Sequence, residues 1–443
     1  MSELTVGILG FVCIVAIVIT LFKSKTMPSM AFIIFPSILG LILVLGGYYT
    51  IGEIGDLIKG GFKSTGPTAA LFVFSVLFFG IMTDAGMFDV IIDKLMKYVG
   101  DNVIGVTVMT AVIALIGHLD GGGASTFLIV VPSMLPVYKK MHMRPTTLLR
   151  VAVLAMGVLN LMPWAGPTMR AASVLGMEAG QLWGGLIPIQ IFGIILCLAH
   201  AVFAGIQEKK RGAGLEAGAD TADLFSEADK TEEEKALLRP QLFWFNVALI
   251  VIVIIAMFAS GLPTFLCFMV AAAIALIVNY PGTKIQNERL KSYAPTVLTM
   301  VSVLFASGVF TGVLNNSPMK DSMVEVVSGI LEGSATAHIN TVMGFLWGPL
   351  SAIGLNHEAC AYTIVPMLQS IAADHITPVQ AAASYLMTFV PQVFVNPSTA
   401  AMYIGLGLAG IDFKDHWKFT FKWVMLICTL CFAGSILVGT IPF

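Results

Sequence analysis

Two polar, glycine-rich interruptions break long apolar stretches of this sequence: LDGGGASTFLIVVPSMLP at residues 119–136 and GLNHEACAYTIVPMLQ at residues 354–369. In a bilayer, backbone that leaves the helix must be buried in protein or line a water-filled cavity. The two interruptions also lie at corresponding places in the two halves of the chain. Paired interruptions of this kind are typical of the binding site of a secondary transporter.

The composition establishes the class of protein. Of the 443 residues, 57% are hydrophobic and only 11% are charged, and the mean hydropathy is +0.90. These values exclude an ordinary soluble domain and predict a multi-pass protein of the bilayer, which we expect in the plasma membrane (the bacterial inner membrane). The first apolar run lacks a small-residue cleavage site, so we expect a retained span. No feature points to nucleic acid as a partner.

Apolar runs of about 18 residues or more predict ten transmembrane spans. The runs are 5–22, 29–48, 67–85, 146–178, 185–206, 241–259, 262–279, 296–316, 380–410 and 420–440. Two further runs, 102–138 and 336–373, are too long for one span and carry the polar interruptions, so we expect re-entrant hairpins. The runs 146–178 and 380–410 contain proline-rich breaks and predict discontinuous helices.

The distribution of basic residues supports this topology. With the N-terminus outside, 20 of the 24 lysines and arginines fall in cytoplasmic segments, as the positive-inside rule expects. Only Lys59, Lys63 and Lys320 lie outside, and Arg170 lies within the membrane. Reading either hairpin as two full spans would reverse the orientation of everything after it. The hydrophilic segment 207–239 is then a cytoplasmic linker.

The segments on either side of the linker, 1–206 and 240–443, repeat each other. Equivalent residues recur at nearly constant offsets, 234 residues for Pro132 and Pro366 in the hairpins and 230 residues for Pro167-Thr168 and Pro397-Ser398 in the breaks. Five spans per half is an odd number, so the second half must be inverted relative to the first. The predicted fold is an all-α polytopic membrane protein of two inverted repeats, each with five spans, one re-entrant hairpin and one discontinuous helix.

Candidate binding groups gather at the hairpin tips and helix breaks. Gly122 and Gly123 leave backbone N–H groups uncovered. Ser125 and Thr126 follow at the start of a half-helix, whose positive end attracts anions. The other three interruptions offer Thr168, then Asn356, His357 and Glu358, and finally Asn396, Ser398 and Thr399. Because proline frees carbonyls for a cation, four such ends predict a site for a small anion with a coupling cation.

Three charged residues sharpen this prediction. An arginine deep in an apolar region needs a carboxylate, so Arg170 either binds a substrate carboxylate or forms a structural ion pair with Asp120 or Asp84. Asp120 and Glu358 lie at the two tips, where either could bind a cation or carry the coupling proton. The alternative for both is a carboxylate that accepts backbone hydrogen bonds.

At these residues the chain resembles the citrate–divalent-metal:proton symporters of the ion transporter superfamily. The most specific motifs are LDGGGASTF followed by VVPSMLPVY, NLMPWAGPTMRAASVLG, and NPST at 396–399. The resemblance implies a homodimer and an elevator-type movement of a transport domain against a scaffold domain. It also implies that substrate carboxylates meet Ser125, Thr126, Thr168, Ser398 and Thr399. No cofactor is implied, although Mg²⁺ or Ca²⁺ could travel with the substrate.

The sequence departs from that family's pattern at both tips and at the second break. Gly122 stands where a second acidic residue is expected, His357-Glu358 replaces Asn-Asp, and Asn396 replaces an apolar residue. If a metal complex is carried, Asp120 and Glu358 would be its acidic ligands at the tips. Fewer hard oxygen ligands weaken the prediction of a metal-complexed substrate, so the carboxylate is the firmer expectation.

The leading hypothesis is a symporter, not an enzyme, that imports citrate or a related di- or tricarboxylate with protons. A sodium-coupled carboxylate carrier without metal and an inorganic-anion carrier of the arsenite type are alternatives within the same fold. A channel or an intramembrane enzyme belongs to a different class. The buried hairpins argue against a channel, and the lack of a nucleophile–base pair or metal motif argues against an enzyme.

Overall fold

The computed structural model describes residues 2–22, 26–96, 102–214, 231–315, 317, 319–328, 333–352, 357–388, 390–396 and 399–442. These residues form nineteen α-helices with short 3₁₀ and π turns, and no β-strand. The first nine are α1 (Glu3–Phe22), α2 (Pro28–Leu45), α3 (Ile51–Asp84), α4 (Met87–Met96), α5 (Val103–Gly117), α6 (Gly123–Lys140), α7 (Pro145–Leu159), α8 (Gly166–Leu175) and α9 (Ala179–Lys210).

A short helix, α10 (Glu232–Leu237), lies between these and the last nine. The last nine are α11 (Phe243–Ala259), α12 (Thr264–Asn279), α13 (Thr283–Phe310), α14 (Met319–Ser328), α15 (Gly333–Ala352), α16 (His357–Ile371), α17 (Pro378–Thr388), α18 (Ala400–Ala409) and α19 (Phe413–Leu437). Helices α8 and α18 both end at a glycine with positive φ, Gly176 at 68° and Gly410 at 66°. The inverted orientation of the halves and the domain boundaries stay predictions.

Seven helical segments of the described chain are long and apolar enough to cross a membrane, and four more are shorter and apolar. The seven are Pro28–Leu45, Ile51–Asp84, Val103–Asp120, Ala179–Lys210, Pro240–Met257, Thr283–Leu314 and Phe413–Leu437. This confirms the all-helical membrane class. It also lengthens one predicted span, because α3 begins at Ile51 and not near residue 67. A capping box between Thr50 and Glu53 starts the helix within polar sequence.

The first polar interruption forms the tip of a helical hairpin. Helices α5 and α6 pack against each other, and the hydroxyls of Thr110 and Tyr138 lie 3.0 Å apart across them. A short 3₁₀ turn, His118–Asp120, ends α5, and Gly121 reverses the chain with φ of 71°. A side chain at this position would be strained, which explains one glycine of the triplet. In the second hairpin, α15 and α16 also pack together.

The helix is interrupted within each of the runs 146–178 and 380–410, and the first break lies before Pro167. Helix α7 ends at Leu159 and α8 begins at Gly166, so Pro167 stands in the first turn of α8 and does not open the backbone. Proline is well accommodated there because the first helical N–H groups have no partner within the helix. The second break runs through a 3₁₀ turn, Val390–Val395, between α17 and α18.

The end of α7 packs closely against the second break at a glycine, Gly157. A Cβ at Gly157, near the end of α7, would lie 2.8 Å from both Cα and the carbonyl oxygen of Pro391. These are backbone atoms of the second break, so they cannot turn aside as a flexible side chain would. Gly157 therefore lets two discontinuous helices from opposite halves of the chain approach closely.

Candidate binding site

The tip of the first hairpin holds the carboxylate of Asp120 at the start of α6. One carboxylate oxygen accepts the Gly122 N–H at 2.7 Å, and the other accepts the Ser125 hydroxyl at 2.5 Å. Negative charge at the first turn of a helix is favoured by the helix dipole. These contacts join Asp120, Gly122 and Ser125 into one polar group, and all three are only half-buried.

Hydrogen bonds fasten this tip to the first break. The buried ring of His118 lies 2.7 Å (Nδ1) from the Thr126 hydroxyl and 3.1 Å (Nε2) from Asn160 Oδ1. These two contacts hold the ring between the hairpin tip and the first break. Trp164 adds a third connection, because its Nε1–H donates to the Leu119 carbonyl at 2.7 Å.

Two of the predicted substrate-binding hydroxyls face the protein interior. Thr126 and Thr168 have no exposed surface. The Thr126 hydroxyl lies 2.7 Å from the Gly122 carbonyl as well as beside His118, and the Thr168 hydroxyl donates to the Asn160 carbonyl at 3.0 Å. In this conformation both side chains support the tip and the break, and their contact with a substrate stays a prediction.

The same tip also packs against the second break. A Cβ at Gly123 would lie 2.7 Å from the Phe394 ring and 3.2 Å from the Cβ of Ala401. The Phe394 ring meets that of Phe127 edge-on, with centroids 5.6 Å apart. The first hairpin therefore touches the interrupted helices of both halves, and Gly123 leaves room for the contact.

The residues predicted in the second half are described only in part. His357 begins α16, is 5% exposed, and accepts the Tyr385 hydroxyl on its carbonyl at 2.7 Å. Asn396 is fully buried, with Nδ2 lying 3.3 Å from the Ser351 carbonyl. Half-buried Thr399 directly precedes α18. Asn356, Ser398 and the side chain of Glu358 lie outside the described residues.

Arg170 lines a cavity of about 440 Å³ between α2, α3, α8, α13 and α16. Among the described residues it is the only charged side chain in the cavity wall. The wall otherwise combines apolar groups with three hydroxyls, those of Thr296, Thr299 and Tyr362. This size is typical of a small-molecule site. The start of α8 lies near both the cavity and the hairpin: a Cβ on Gly166 would lie 3.3 Å from Arg170 Nη1, and a Cβ on Gly121 would lie 3.5 Å from the Cα of Ala165.

One of the two alternative partners suggested for Arg170 is engaged elsewhere. Asp84, the last residue of α3, forms an ion pair with Arg289 Nη1 at 3.0 Å and accepts the Tyr293 hydroxyl. Both partners belong to α13, so this cluster joins α3 to α13. Asp120 is bonded within its own tip, as described above.

Several residues of the site could not be found from motifs. Thr296 and Thr299 lie in an apolar run that follows Pro295. The only sequence feature that relates them is their spacing of three residues, which puts both on one helix face. Asn160 and Trp164 lie inside the NLMPWAGPTMR motif, but the motif alone does not indicate a role for either residue. Tyr362 was hidden in the hydrophobic half of the second hairpin.

The described residues contain no cluster of three or more His, Cys, Asp or Glu side chains that could hold a metal ion. The described part of the site thus offers one carboxylate, from Asp120, together with hydroxyls and an arginine.

Comparisons with known proteins agree with one another. The family model for citrate transporters (CitMHS) matches residues 14–399. A "Citrate transporter" of Bacillus subtilis (strain 168) is 31% identical over 437 residues, which cover 99% of this chain and 100% of that protein. A "Mg(2+)/citrate complex secondary transporter" of the same organism is 31% identical over 436 residues, covering 98% and 99%.

Among solved structures, the YdaH transporter of Alcanivorax borkumensis is similar in fold, with a TM-score of 0.58. The match covers 86% of this chain and 87% of that one. At 13% identity the likeness concerns the fold alone.

Proposed function

Because this chain belongs to the citrate transporter family, we propose that it is a secondary active transporter that imports citrate or a related di- or tricarboxylate together with protons. The observation that carries the proposal is the cavity around Arg170. A single guanidinium in a largely apolar wall gives an organic anion one charged contact and several weaker ones. Such an arrangement favours a carboxylate because the guanidinium fork can bind both of its oxygens.

In this proposal the substrate lies between the first broken helix and the second hairpin. Arg170 of α8 binds one carboxylate, and the hydroxyls of Thr296, Thr299 and Tyr362 line the space for the remaining oxygens. The glycines and Ser125 of the first tip close the site from the side of α6. The predicted contributions of His357, Asn396, Ser398 and Thr399 complete it from the second half.

Asp120 is the proposed coupling group of the first tip. On this proposal its carboxylate lies near the bound anion, so protonation would remove a like charge while the substrate is bound. The Ser125 hydroxyl and the Gly122 N–H fix its position in either state. Glu358 has the corresponding place in the second tip. Sodium binding at the same groups is the alternative coupling mode.

The contacts of the first hairpin support an elevator-type movement. The tip is bonded to the first break through His118 and Trp164 and packed on the second break through Gly123. Three elements connected in this way would move together more readily than separately. We therefore propose that the hairpins and broken helices form the transport domain, and that a homodimer supplies the scaffold.

A divalent metal would enter this site as part of the substrate. A relative's name refers to a Mg²⁺/citrate complex, and citrate itself supplies carboxylate and hydroxyl ligands to such a cation. Asp120 and Glu358 would then contribute the remaining acidic ligands. On this proposal, Mg²⁺ or Ca²⁺ travels as cargo and the protein retains no metal between cycles.

Uptake of labelled citrate into proteoliposomes tests the proposal. We expect accumulation when the outside is made acidic and none when a Na⁺ gradient is imposed alone. Accumulation driven by Na⁺ alone would establish the sodium-coupled alternative, and absence of citrate uptake under every gradient, with and without Mg²⁺ or Ca²⁺, would overturn the substrate assignment. Stimulation by either metal at constant free citrate would identify the complex as the transported species.

A further inference from the structure

A second cavity, of about 420 Å³, lies where α7 begins, α9 ends and α19 begins. It is far richer in positive charge than the cavity around Arg170. Its basic lining residues are Arg144, Arg150, Lys210, Arg211 and Lys422. The predicted topology puts all five on the cytoplasmic side of the membrane, where headgroups of the inner leaflet would meet them.

One carboxylate neutralises only part of this charge. Glu208 is fully buried, and it accepts hydrogen bonds from Arg144 Nε at 2.7 Å, Arg211 Nη2 at 2.8 Å and the Thr147 hydroxyl at 2.6 Å. Its acceptor capacity is therefore used by groups at the edge of the cavity. The five basic residues and this single acid leave the region with an excess of positive charge.

Arg150 is the deepest of the basic residues and the least compensated. It is only 1% exposed, and its Nη2 donates to a neutral acceptor, Gln207 Oε1, at 3.0 Å. Its Nε is buried and has no hydrogen-bond partner within the described chain. The guanidinium carbon also lies 4.6 Å from the Phe419 ring centroid and 5.5 Å from that of Trp423. A buried guanidinium without a carboxylate is costly, so it marks a place for an anionic ligand.

The surroundings of the cavity favour an anion that carries acyl chains. Val202, Phe203 and Ile206 lie on α9 within about one turn of Gln207, and each is 37–40% exposed. An apolar surface of this kind suits lipid tails. The Phe203 and Trp423 rings lie 5.0 Å apart and resemble the aromatic groups that occur at headgroup level in membrane proteins.

We propose that this cavity binds the phosphate of an anionic phospholipid from the cytoplasmic leaflet, with Arg150 as its deepest contact. Lys422 and Arg144 bind the phosphate from the cavity mouth, and the acyl chains lie along the exposed face of α9. Basic pockets between membrane helices on the cytoplasmic side are suited to such headgroups. The site is separate from the proposed citrate site and does not depend on what the protein transports.

Native mass spectrometry of the full chain in detergent tests the proposal, with phosphatidylglycerol and phosphatidylcholine of identical acyl chains as probes. We expect retained phosphatidylglycerol and little phosphatidylcholine. Arg150→Met should weaken phosphatidylglycerol binding roughly tenfold or more, while the fold is kept because the replacement is apolar and similar in length. Equal binding of both lipids, or wild-type binding by Arg150→Met, would overturn the proposal.

Two lysine variants on the surface of α19 provide a second test in case Arg150→Met does not fold. Lys422 lines the cavity, whereas Lys418, one turn earlier on α19, is exposed and does not. Lys422→Gln should weaken phosphatidylglycerol binding and Lys418→Gln should not, and equal effects would contradict the assignment. Inorganic phosphate and citrate are tested as competitors for the bound lipid. Displacement of the lipid by either one at low millimolar concentration would identify a soluble-anion site and overturn the lipid assignment.

Discussion

His118 Nε2 lies 3.1 Å from Asn160 Oδ1, although 42 residues separate them in the chain. The first belongs to the tip of a hairpin and the second to the break of a discontinuous helix. Because both side chains are buried, this bond fixes the position of one polar interruption relative to another. The hairpin tip is therefore part of the first break's packing and not a free loop.

Replacement of His118 by alanine should destabilise the protein by about 1–3 kcal/mol, because it removes the buried contacts with Thr126 and Asn160 and leaves Asn160 Oδ1 without the ring nitrogen that it faces. Thermal unfolding of the purified protein in detergent measures the effect as a lower apparent melting temperature. His375→Ala is the control, since His375 is exposed. Equal melting temperatures for wild type and His118→Ala would contradict the structural role.

Loss of the Arg170 guanidinium should weaken citrate binding roughly tenfold or more, because a charge-assisted hydrogen bond contributes about 1.5–3 kcal/mol. Arg170→Lys should fall between wild type and Arg170→Ala, since it keeps the charge but loses the fork. Equilibrium binding of labelled citrate measures this change in affinity.

Arg289→Ala is the matched control. It breaks the pair with Asp84 and should lower stability with an unchanged Kd. If Arg170→Ala instead unfolds the chain while residual citrate binding survives, the arginine is structural.

Asp120→Asn should separate proton coupling from substrate exchange. The amide oxygen can still accept the Gly122 N–H, so the tip should keep its shape. We expect citrate counterflow between equal pH values to continue, while accumulation driven by an acidic exterior is lost. Proteoliposome uptake under both conditions distinguishes these activities. Wild-type accumulation by Asp120→Asn under the pH gradient would assign coupling to another group.

Gly157→Ala should strongly lower the stability of the folded protein although it adds only one methyl group. The added carbon would lie 2.8 Å from backbone atoms of Pro391, so the two broken helices would have to separate. Gly407→Ala is the matched control, because a Cβ there meets nothing within 4 Å. Expression level and apparent melting temperature report the difference. If the two alanine variants behave alike, the close approach of the breaks is not essential.

The class of fold could be read from the sequence because hydrophobic length and paired interruptions are local signals. The position of the first break could not be read from the sequence. The sequence suggests that Pro167 opens the helix, but Pro167 lies in the first turn of α8, where proline is tolerated. The cavity wall was missed for a different reason. Arg170, Thr299 and Tyr362 meet only after three distant helices pack together, and no local pattern of residues reports such a contact.

The contact between Gly157 and Pro391 has a consequence for how the protein is made. The two residues are 234 positions apart, so a ribosome adding 5–20 residues per second needs roughly 10–50 s to deliver the second after the first. During that interval the first discontinuous helix is in the bilayer without the second break, whose Pro391 later covers Gly157. The nascent protein keeps this break uncovered until residue 391 of 443 is synthesised, and a chaperone or the insertion machinery has that long to act on it.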